Sequence, residues 1–369
     1  MQLSFRWYGP DDPVSLDQIR QIPGVEGVVS ALYDVPVGEA WPEDDLARLV
    51  QTVEDAGLHL SAIESIPVHE DIKLGRPERE RYINRYVESI ERAGALGVDV
   101  VCYNFMPVFD WTRTDLNRHL PDGSEALAYD HAALDEIDLS GGVGDMPAWT
   151  PYSAAELDAL MEAYQSVDEE ALWDHLAYFL ERVAPAAEAA GVRLAIHPDD
   201  PPWSVFGLPR IITSGAALER VTQLASANPA NGVCLCTGSL GANPDEASAL
   251  PATARRLAGR VHFAHLRNVQ ILAGEKCFQE VPHPSGDVNL GAVAAALRET
   301  GFAGPVRPDH GRMIWGEEER ENVRPGYGLY DRALGATYLL GLWKRGKKGK
   351  GTADAIEERG AGEKRPPAL

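Results

Sequence analysis

The sequence predicts an α/β protein folded as a closed (β/α)8 barrel. Eight short apolar segments alternate with segments of helical periodicity, which is typical of a parallel sheet whose strands are joined by helices. A chain of 369 residues is long enough for one such barrel. An open doubly wound sheet is the alternative, but no Gly-x-Gly-x-x-Gly turn follows the first strand.

The first half of the chain supplies four of these strands. Ser15 suits the N-cap of the first helix, and Gly57 and Gly97 are typical stops for the second and third. The predicted strands are 3–8, 27–30, 59–65 and 98–102, and the predicted helices are 15–22, 42–56 and 76–96.

The second half supplies four more strands. Pro198 and Pro308 indicate where two of them end, because proline lacks the N–H that a strand ladder needs. Residues 269–287 are predicted to form a loop. The predicted strands are 192–197, 232–236, 261–266 and 304–307, and the predicted helices are 167–190, 215–226, 245–258, 290–300 and 329–343.

Two stretches depart from the alternation. Residues 106–166, after the fourth strand, are rich in Asp, Pro, Gly and aromatic residues and show no sustained period, so we expect an irregular insertion. Two roles for this insertion stay open: a lid or substrate loop, and a helical insertion that mediates oligomerisation. Residues 344–369 are basic and then proline-containing, which predicts a disordered tail. Residues 1–343 would then form a single domain.

The composition of the chain limits the partners and the cell compartment that we expect for it. A net charge of −22 disfavours nucleic acid, which is itself a polyanion. Cys234 and Cys236 are too close along one strand for a mutual disulfide, which favours a reducing compartment. The N-terminal residues lack the pattern of a signal peptide, and no apolar run approaches the roughly 18 residues of a spanning helix. We therefore expect a cytoplasmic protein that binds neither nucleic acid nor membrane.

Four side chains with metal-ligand chemistry stand at the ends of the last four predicted strands: His197, Cys236, His265 and Asp309. In a (β/α)8 barrel the carboxyl ends of the strands meet at one rim, so we expect these four groups to converge. Cys234 lies about 6–7 Å deeper on its strand and is predicted to fill the core. A mixed nitrogen, sulfur and oxygen set by itself suggests zinc or iron.

Six motifs occur along the chain: Phe-Arg-Trp-Tyr-Gly at 5–9, His-Pro-Asp-Asp-Pro-Pro at 197–202, Cys-Thr-Gly-Ser at 236–239, His-Leu-Arg-Asn at 265–268, Arg-Pro-Asp-His-Gly at 307–311 and Arg-Pro-Gly-Tyr-Gly-Leu-Tyr-Asp-Arg at 324–332. Together they resemble the mannonate dehydratases of hexuronate breakdown, over about residues 1–343. This resemblance implies a xylose-isomerase-like barrel that needs Mn²⁺ or Fe²⁺ and dehydrates D-mannonate to 2-dehydro-3-deoxy-D-gluconate. It also implies a homo-oligomer, a dimer or a higher form.

Dehydration needs a base and an acid beside the metal ligands. His310 is a predicted acid–base residue because histidine titrates near working pH; its alternative role is to orient Asp309. The resemblance gives Tyr327 as its partner, although a tyrosine that only covers the last helix fits equally well. Asp199 and Asp200 are predicted hydrogen-bond acceptors near the site. The predicted substrate-binding residues are Arg6, Trp7, Arg267, Asn268 and Arg312.

Two other functions compete with this interpretation. An aldose–ketose isomerase on the same kind of barrel would move hydrogen without losing water. A carbohydrate-binding protein with a structural metal would use the same four ligands without catalysis. Offering free sugars in place of sugar acids distinguishes the isomerase from the dehydratase. Replacing Cys236 distinguishes the carbohydrate-binding protein from both enzymes.

Overall fold

The computed structural model describes residues 1–134, 136–137 and 152–345. Twelve strands lie within these ranges: β1 (Gln2–Arg6), β2 (Gly27–Ser30), β3 (His59–Glu64), β4 (Val100–Tyr103), β5 (Asp115–His119), β6 (Glu125–Asp130), β7 (Arg193–Ile196), β8 (Asn231–Cys236), β9 (Val261–His265), β10 (Asn268–Ile271), β11 (Cys277–Val281) and β12 (Pro305–Arg307).

The same ranges contain twelve α-helices and one 3₁₀ turn at Ala225–Ala227. The helices are α1 (Leu16–Arg20), α2 (Glu43–Asp55), α3 (Glu70–Lys73), α4 (Arg79–Ala95), α5 (His131–Leu134), α6 (Ala154–Tyr164), α7 (Glu169–Ala189), α8 (Gly215–Gln223), α9 (Thr237–Gly241), α10 (Pro244–Arg256), α11 (Leu290–Glu299) and α12 (Tyr330–Arg345).

Eight of the strands close into a parallel barrel in the order β1-β12-β9-β8-β7-β4-β3-β2, which confirms the predicted (β/α)8 fold. The strands are buried on both faces because helices cover the outside and side chains fill the inside. Inside the barrel, Cys102 and Cys234 pack with Val29, Val100 and Phe263 in one apolar cluster. Cys234 therefore occupies the core position that strand alternation predicts.

A second sheet is the main departure from the sequence prediction. β10, β11, β6 and β5 form a four-stranded antiparallel sheet in that order, with Phe278 opposite Tyr129 across β11 and β6. The predictions that 106–166 is irregular and that 269–287 is a loop were therefore wrong in these segments. β5 is polar and alternates exposed with half-buried residues, so no apolar run marks it in the sequence. The capping box of Ser153 and Glu156, which begins α6, was a local signal that could have been recognised.

The C-terminal boundary also shifts. Lys344 and Arg345 belong to the last turn of α12, where basic side chains suit the negative end of the helix dipole, so the predicted tail does not begin at 344. The rest of that prediction, 346–369, lies outside the described residues. Within the described part of the chain, no helix has the length and apolar character that crossing a membrane requires.

Gly27 in β2 gives a test of barrel packing. An added Cβ would lie 1.8 Å from Ser61 Oγ and 2.8 Å from Ser4 Oγ, and these two hydroxyls are hydrogen-bonded to each other at 2.9 Å. We expect Gly27→Ala to lower the free energy of unfolding by about 1–3 kcal/mol, because the core must shift. Gly341→Ala on α12 is the control: apart from the adjacent residues and backbone of its own helix, no atom would lie within 4 Å of the added Cβ, so a gain of about 0.5–1 kcal/mol is expected. Urea denaturation measures both, and equal stabilities would contradict the packing argument.

Candidate active site

The four predicted metal ligands converge at the rim of the barrel. They follow or end β7, β8, β9 and β12, which are adjacent in the strand order. His197 Nε2 lies 3.2 Å from His265 Nδ1, and Cys236 Sγ lies 3.7 Å from Asp309 Oδ2. His265 Nδ1 is 3.9 Å from Asp309 Oδ1. One ligand atom from each of His197, Cys236 and His265 falls within 4.8 Å of the other two, so these residues can share one cation.

Local backbone structure presents these side chains to one another. Pro198 follows β7, and its carbonyl oxygen lies 2.6 Å from His197 Nδ1, which leaves Nε2 facing the cluster. Asp309 has a φ of 62°, in the left-handed region that aspartate tolerates better than most residues. This turn directly after β12 directs the Asp309 carboxylate to the same point.

The charge of the cluster suits a metal ion. Burial alone would raise the pKa of the Cys236 thiol, but Arg267 and His197 lower it to about 5, which favours the thiolate. Ser239 also directs its N–H and Oγ at Sγ, at 3.4 and 3.1 Å. Burial opposes protonation of His197, yet the nearby Cys236 thiolate raises its pKa to about 10. The cluster thus attracts a positive charge, and thiolate, carboxylate and two imidazoles fit a divalent transition metal.

A hydrogen-bonded chain of acid–base groups lies beside the metal ligands. Glu280 Oε1 is 2.8 Å from His310 Nδ1, and His310 Nε2 is 2.9 Å from the Tyr327 hydroxyl. Because a carboxylate can only accept, this network assigns the Nδ1 proton to the bond with Glu280 and leaves Nε2 to accept from Tyr327. The ring of Trp111 meets His310 edge-on at 5.7 Å. His310 and Tyr327, both predicted catalytic residues, are in direct contact.

Two buried arginines hold the acidic groups of the site in place. Arg267 contacts Asp309 and Asp200 at 2.7 Å and Glu280 at 3.2 Å. Arg113, from the insertion, contacts Asp200 at 2.9 Å and Glu280 at 2.8 Å. Burial would raise the pKa of Asp200, but these two guanidinium groups lower it, so the carboxylate stays ionised. Asp200 is therefore an acceptor, as predicted, and its donors are arginines.

A cavity of about 450 Å³ opens on this site. The insertion after β4 forms part of its wall through Asp110, Trp111 and Tyr152, which favours the lid or substrate-loop reading. The charged and polar residues of the wall are Arg6, Tyr8, Tyr33, Asp34, Glu64, Ser65, Glu70, Lys73, Tyr103, Asn104, Asp110, Trp111, Tyr152, His197, Asp200, Arg307, Asp309, His310 and Tyr327.

Of the five predicted substrate-binding residues, Arg6 lines this cavity and the other four have partners elsewhere. Trp7 is buried in the hydrophobic core. Arg267 belongs to the buried ion pairs described above. Asn268 donates to the carbonyl oxygens of two loop residues at 2.9 and 3.0 Å, and Arg312 pairs with Asp331 at 2.9 Å. These contacts stabilise the rim without reaching the cavity.

Glu64, Arg113, Glu280 and Arg307 contribute to the site and were missed from the sequence. Glu64 ends β3 and Arg307 ends β12; Arg307 Nη2 donates to Glu64 Oε1 at 3.1 Å, and its Nε donates to His265 Nε2 at 3.0 Å. Their position at strand ends was the available signal for both. Glu280 had none, because β11 was read as part of a loop.

The buried carboxylate of Glu280 is expected to make the free energy of unfolding fall in acid. Burial opposes its ionisation, but Arg267, His310 and Arg113 together lower its pKa from 4.5 to about 2. The pKa of Glu280 is thus lower in the folded than in the unfolded protein. Ionised Glu280 therefore makes its full contribution to the free energy of unfolding above about pH 4.5, and this contribution is lost as the pH falls toward 2. It is on the order of 3 kcal/mol. We expect Glu280→Gln to flatten the fall in unfolding free energy over this window, measured by urea denaturation at each pH.

The control for this measurement is Glu91→Gln, on the exposed surface of α4. It should leave the pH profile of the wild type unchanged. If Glu280→Gln loses stability on acidification as steeply as the wild type, the carboxylate of Glu280 is not the group responsible.

The fold and site together define a (β/α)8 barrel with a cluster of candidate metal ligands at its rim and a hydrogen-bonded His310–Tyr327 pair beside them. The family model for D-mannonate dehydratase (UxuA) matches residues 1–352. The chain belongs to the D-mannonate dehydratase family, a family of hydro-lyases, which confirms the resemblance found in the sequence.

Individual relatives of the chain are also named mannonate dehydratases. The chain is 52% identical to "Mannonate dehydratase 2" of Halalkalibacterium halodurans over 93% of this chain and 99% of the relative. It is 53% identical to the mannonate dehydratase of Thermotoga maritima over 93% of this chain and 97% of the relative. The crystal structure of mannonate dehydratase from Streptococcus suis serotype 2 superimposes with a TM-score of 0.86 at 47% identity, covering 95% of this chain and 96% of that one.

More distant structures share the barrel alone. A D-psicose 3-epimerase from Clostridium cellulolyticum has a TM-score of 0.54 at 14% identity, covering 94% of this chain and 99% of that one. A xylose isomerase domain protein from Planctomyces limnophilus has a TM-score of 0.52 at 14% identity, covering 93% of this chain and 97% of that one. The fold is therefore xylose-isomerase-like, as predicted.

Proposed function

We propose that this protein removes water from D-mannonate and yields 2-dehydro-3-deoxy-D-gluconate. In this reaction the proton on C2 is removed, the C3–oxygen bond breaks, and the hydroxyl leaves with a proton as water. The resulting enol then becomes the C2 ketone, so no oxidant or reductant is consumed. The contact of His310 with Tyr327 beside the metal-ligand cluster is the observation that carries this proposal within the D-mannonate dehydratase family.

His310 and Tyr327 are the proposed acid–base pair. Glu280 accepts a hydrogen bond from the Nδ1–H of His310, so the other ring nitrogen, Nε2, presents the lone pair that can receive a proton. The Tyr327 hydroxyl, at 2.9 Å, exchanges its proton with that nitrogen. One member of the pair takes the C2 proton, and the other returns a proton to the departing C3 hydroxyl. Burial raises the pKa of Tyr327, which keeps the phenol protonated at rest and able to donate.

Mn²⁺ or Fe²⁺ is the proposed cofactor because the family resemblance implies these metals; of the two, iron is also favoured by the donor set itself. His197, Cys236, His265 and Asp309 would hold the ion. When bound, it would act as a Lewis acid that stabilises negative charge developing on the substrate carboxylate. Arg6, which lines the cavity, is the proposed cationic contact for the substrate among the residues predicted from the sequence.

The remaining proposals concern the protein as a whole. We propose a cytoplasmic enzyme of hexuronate degradation in which the residues up to the end of α12 at Arg345 form one domain, with the insertion at 106–166 enclosing the substrate. Assembly as a dimer or a higher form is proposed from the family resemblance. Light scattering coupled to gel filtration tests it, and a monomer at all protein concentrations would contradict it.

The direct test is turnover of D-mannonate by purified protein supplied anaerobically with Mn²⁺ or Fe²⁺. We expect a 2-keto-3-deoxy acid, detected by its carbonyl chemistry and by mass loss of one water. Absence of this product with both metals would contradict the proposed reaction. Conversion of free aldoses to ketoses, without loss of water, would favour the isomerase alternative instead.

A further inference from the structure

A single oxygen atom of Glu280 accepts hydrogen bonds from three side chains. Oε1 lies 2.8 Å from His310 Nδ1, 2.8 Å from Arg113 Nη2 and 3.2 Å from Arg267 Nη1. The other oxygen, Oε2, is buried and has no hydrogen-bond partner among the described residues. Both partners are charged in the two arginine contacts, which makes these the stronger bonds. The guanidinium groups therefore fix the position of Oε1, and Oε1 fixes the direction of the Nδ1–H of His310.

Arg113 is itself held in one orientation, because each of its five N–H groups has an acceptor. Nε and Nη2 donate to Glu280 Oε1, at 3.2 and 2.8 Å. Nη1 and Nη2 donate to the two carboxylate oxygens of Asp200, at 2.9 and 3.0 Å. The second N–H of Nη1 donates to the carbonyl oxygen of Thr112 at 2.9 Å. The side chain is fully buried, so water does not compete for these contacts.

Aromatic rings hold the same segment of the insertion against His310. The guanidinium carbon of Arg113 lies 5.0 Å from the centre of the Phe278 ring and 5.6 Å from that of Trp111. The Trp111 ring in turn meets the His310 ring edge-on at 5.7 Å. The segment 111–113 therefore reaches His310 by two routes, directly through an aromatic ring and indirectly through Glu280.

Arg113 differs from Arg267 in its other partners. Arg267 also contacts Asp309, a proposed metal ligand, at 2.7 Å, so its replacement would disturb the metal cluster and the acid–base pair together. Within the described part of the chain, the hydrogen bonds and ion pairs of Arg113 go to a backbone carbonyl and to carboxylates outside the proposed metal-ligand cluster. A change at Arg113 therefore acts on His310 and leaves the metal ligands in place.

We propose that Arg113 is a positioning residue for the proton transfers at His310. Through Glu280 Oε1 it holds His310 in the tautomer that carries its proton on Nδ1, so that the lone pair of Nε2 faces Tyr327. The insertion after β4 thus orients an acid–base group in addition to lining the cavity. This role of Arg113 rests on the proposed function for the part that His310 plays in dehydration, whereas the tautomer of His310 is measured without turnover.

Steady-state kinetics of the Mn²⁺-loaded protein test this role. Arg113→Met should lower the kcat for D-mannonate by about 10- to 100-fold, the cost of a misplaced acid–base group. The KM should change by less than about 3-fold, because Arg113 does not line the cavity and makes no uniform contribution to substrate binding. Bound Mn²⁺ should stay at the wild-type level.

A double-mutant cycle shows whether Arg113 acts through Glu280. In the Glu280→Met background, Arg113→Met should lower kcat by less than about 3-fold further, because the link to His310 is already absent. Arg113→Lys keeps the charge but has fewer donors, so its kcat should lie between those of Arg113→Met and the wild type. Loss of one member of a buried ion pair is destabilising, so Arg113→Lys replaces Arg113→Met in the cycle if the latter does not fold.

Nitrogen NMR of isotopically labelled histidine, on protein loaded with diamagnetic Zn²⁺, measures the tautomer of His310, and His310→Gln identifies the signal. The wild type should carry the proton on Nδ1, and Arg113→Met should show a mixture of both tautomers. The matched control is Arg220→Met on the protein surface. Arg220 also donates through two nitrogens to one carboxylate, that of Glu170, at 3.2 and 3.0 Å, and lies 4.1 Å from the centre of the Trp173 ring. Its replacement should change neither kcat nor the tautomer.

A wild-type kcat or an unchanged His310 tautomer in Arg113→Met would overturn the positioning role. Loss of bound Mn²⁺ together with kcat, or the same fold loss with and without Glu280, would also overturn it. If the wild type does not dehydrate D-mannonate, the proposed function fails, and the tautomer alone then decides whether Arg113 positions His310.

Discussion

His310→Gln is expected to lower the kcat for D-mannonate dehydration by about 100- to 10,000-fold, the range for loss of a general acid–base group. Glutamine keeps polar atoms in the site but cannot exchange a proton with Tyr327, which lies 2.9 Å from Nε2 in the wild type. Bound metal should remain near the wild-type level, because His310 is not among the proposed ligands. Steady-state kinetics and elemental analysis measure the two effects.

The metal measurement separates the two roles predicted for His310. Its Nε2 lies 3.8 Å from Asp309 Oδ1, so a residue that only orients Asp309 is the competing interpretation. In that case metal would be lost together with activity. The matched control is His119→Gln on β5, whose side chain is 80% exposed; it should change neither quantity. A wild-type kcat in His310→Gln would exclude the acid–base role.

Cys236→Ser is expected to weaken metal binding at least about 100-fold and to remove activity with it. Replacing a residue that only supports a metal ligand already costs about 10- to 100-fold in affinity, and loss of a ligand should cost more. The Cys236 thiol has a pKa of about 5, lowered by Arg267 and His197 against the effect of burial, so it binds as a thiolate. A serine hydroxyl stays protonated and is a poor replacement. Metal titration followed by turnover measures the result.

The fold of Cys236→Ser distinguishes a catalytic metal from a structural one. The barrel interior is an apolar cluster around Cys102 and Cys234, so the variant should keep a cooperative unfolding transition. Unfolding of Cys236→Ser would instead favour the binding-protein alternative with a structural metal. Cys277→Ser, in the second sheet, is the control and should retain both metal and activity.

Much of the candidate site followed from the sequence because the barrel has a simple geometric rule. Once eight parallel strands are recognised, residues at their carboxyl ends must meet at one rim. His197 and Asp309, 112 positions apart by number (309 − 197), are therefore placed in one cluster without any three-dimensional information. The same rule would have included Glu64 and Arg307, had charged residues at the other strand ends been considered.

The remaining part of the site depends on contacts that no local pattern reports. Arg113 and Glu280 come from segments read as irregular, 167 positions apart, yet they form a buried ion pair at 2.8 Å. The substrate predictions for Asn268 and Arg312 came from their positions near strand ends, but a side chain's direction decides its partner. Their hydrogen bonds and ion pair hold the loops of the rim together instead.

By itself the sequence determined the barrel, the convergence of four metal ligands and membership of the D-mannonate dehydratase family. Periodic apolar segments and strand-end residues are local features, and they specify these properties directly. The tertiary structure alone decided the antiparallel sheet of β5, β6, β10 and β11, and with it the Glu280 that orients His310. β5 is polar, and β6 and β11 pair although they lie far apart in the chain, so this sheet depends on packing that exists only after folding.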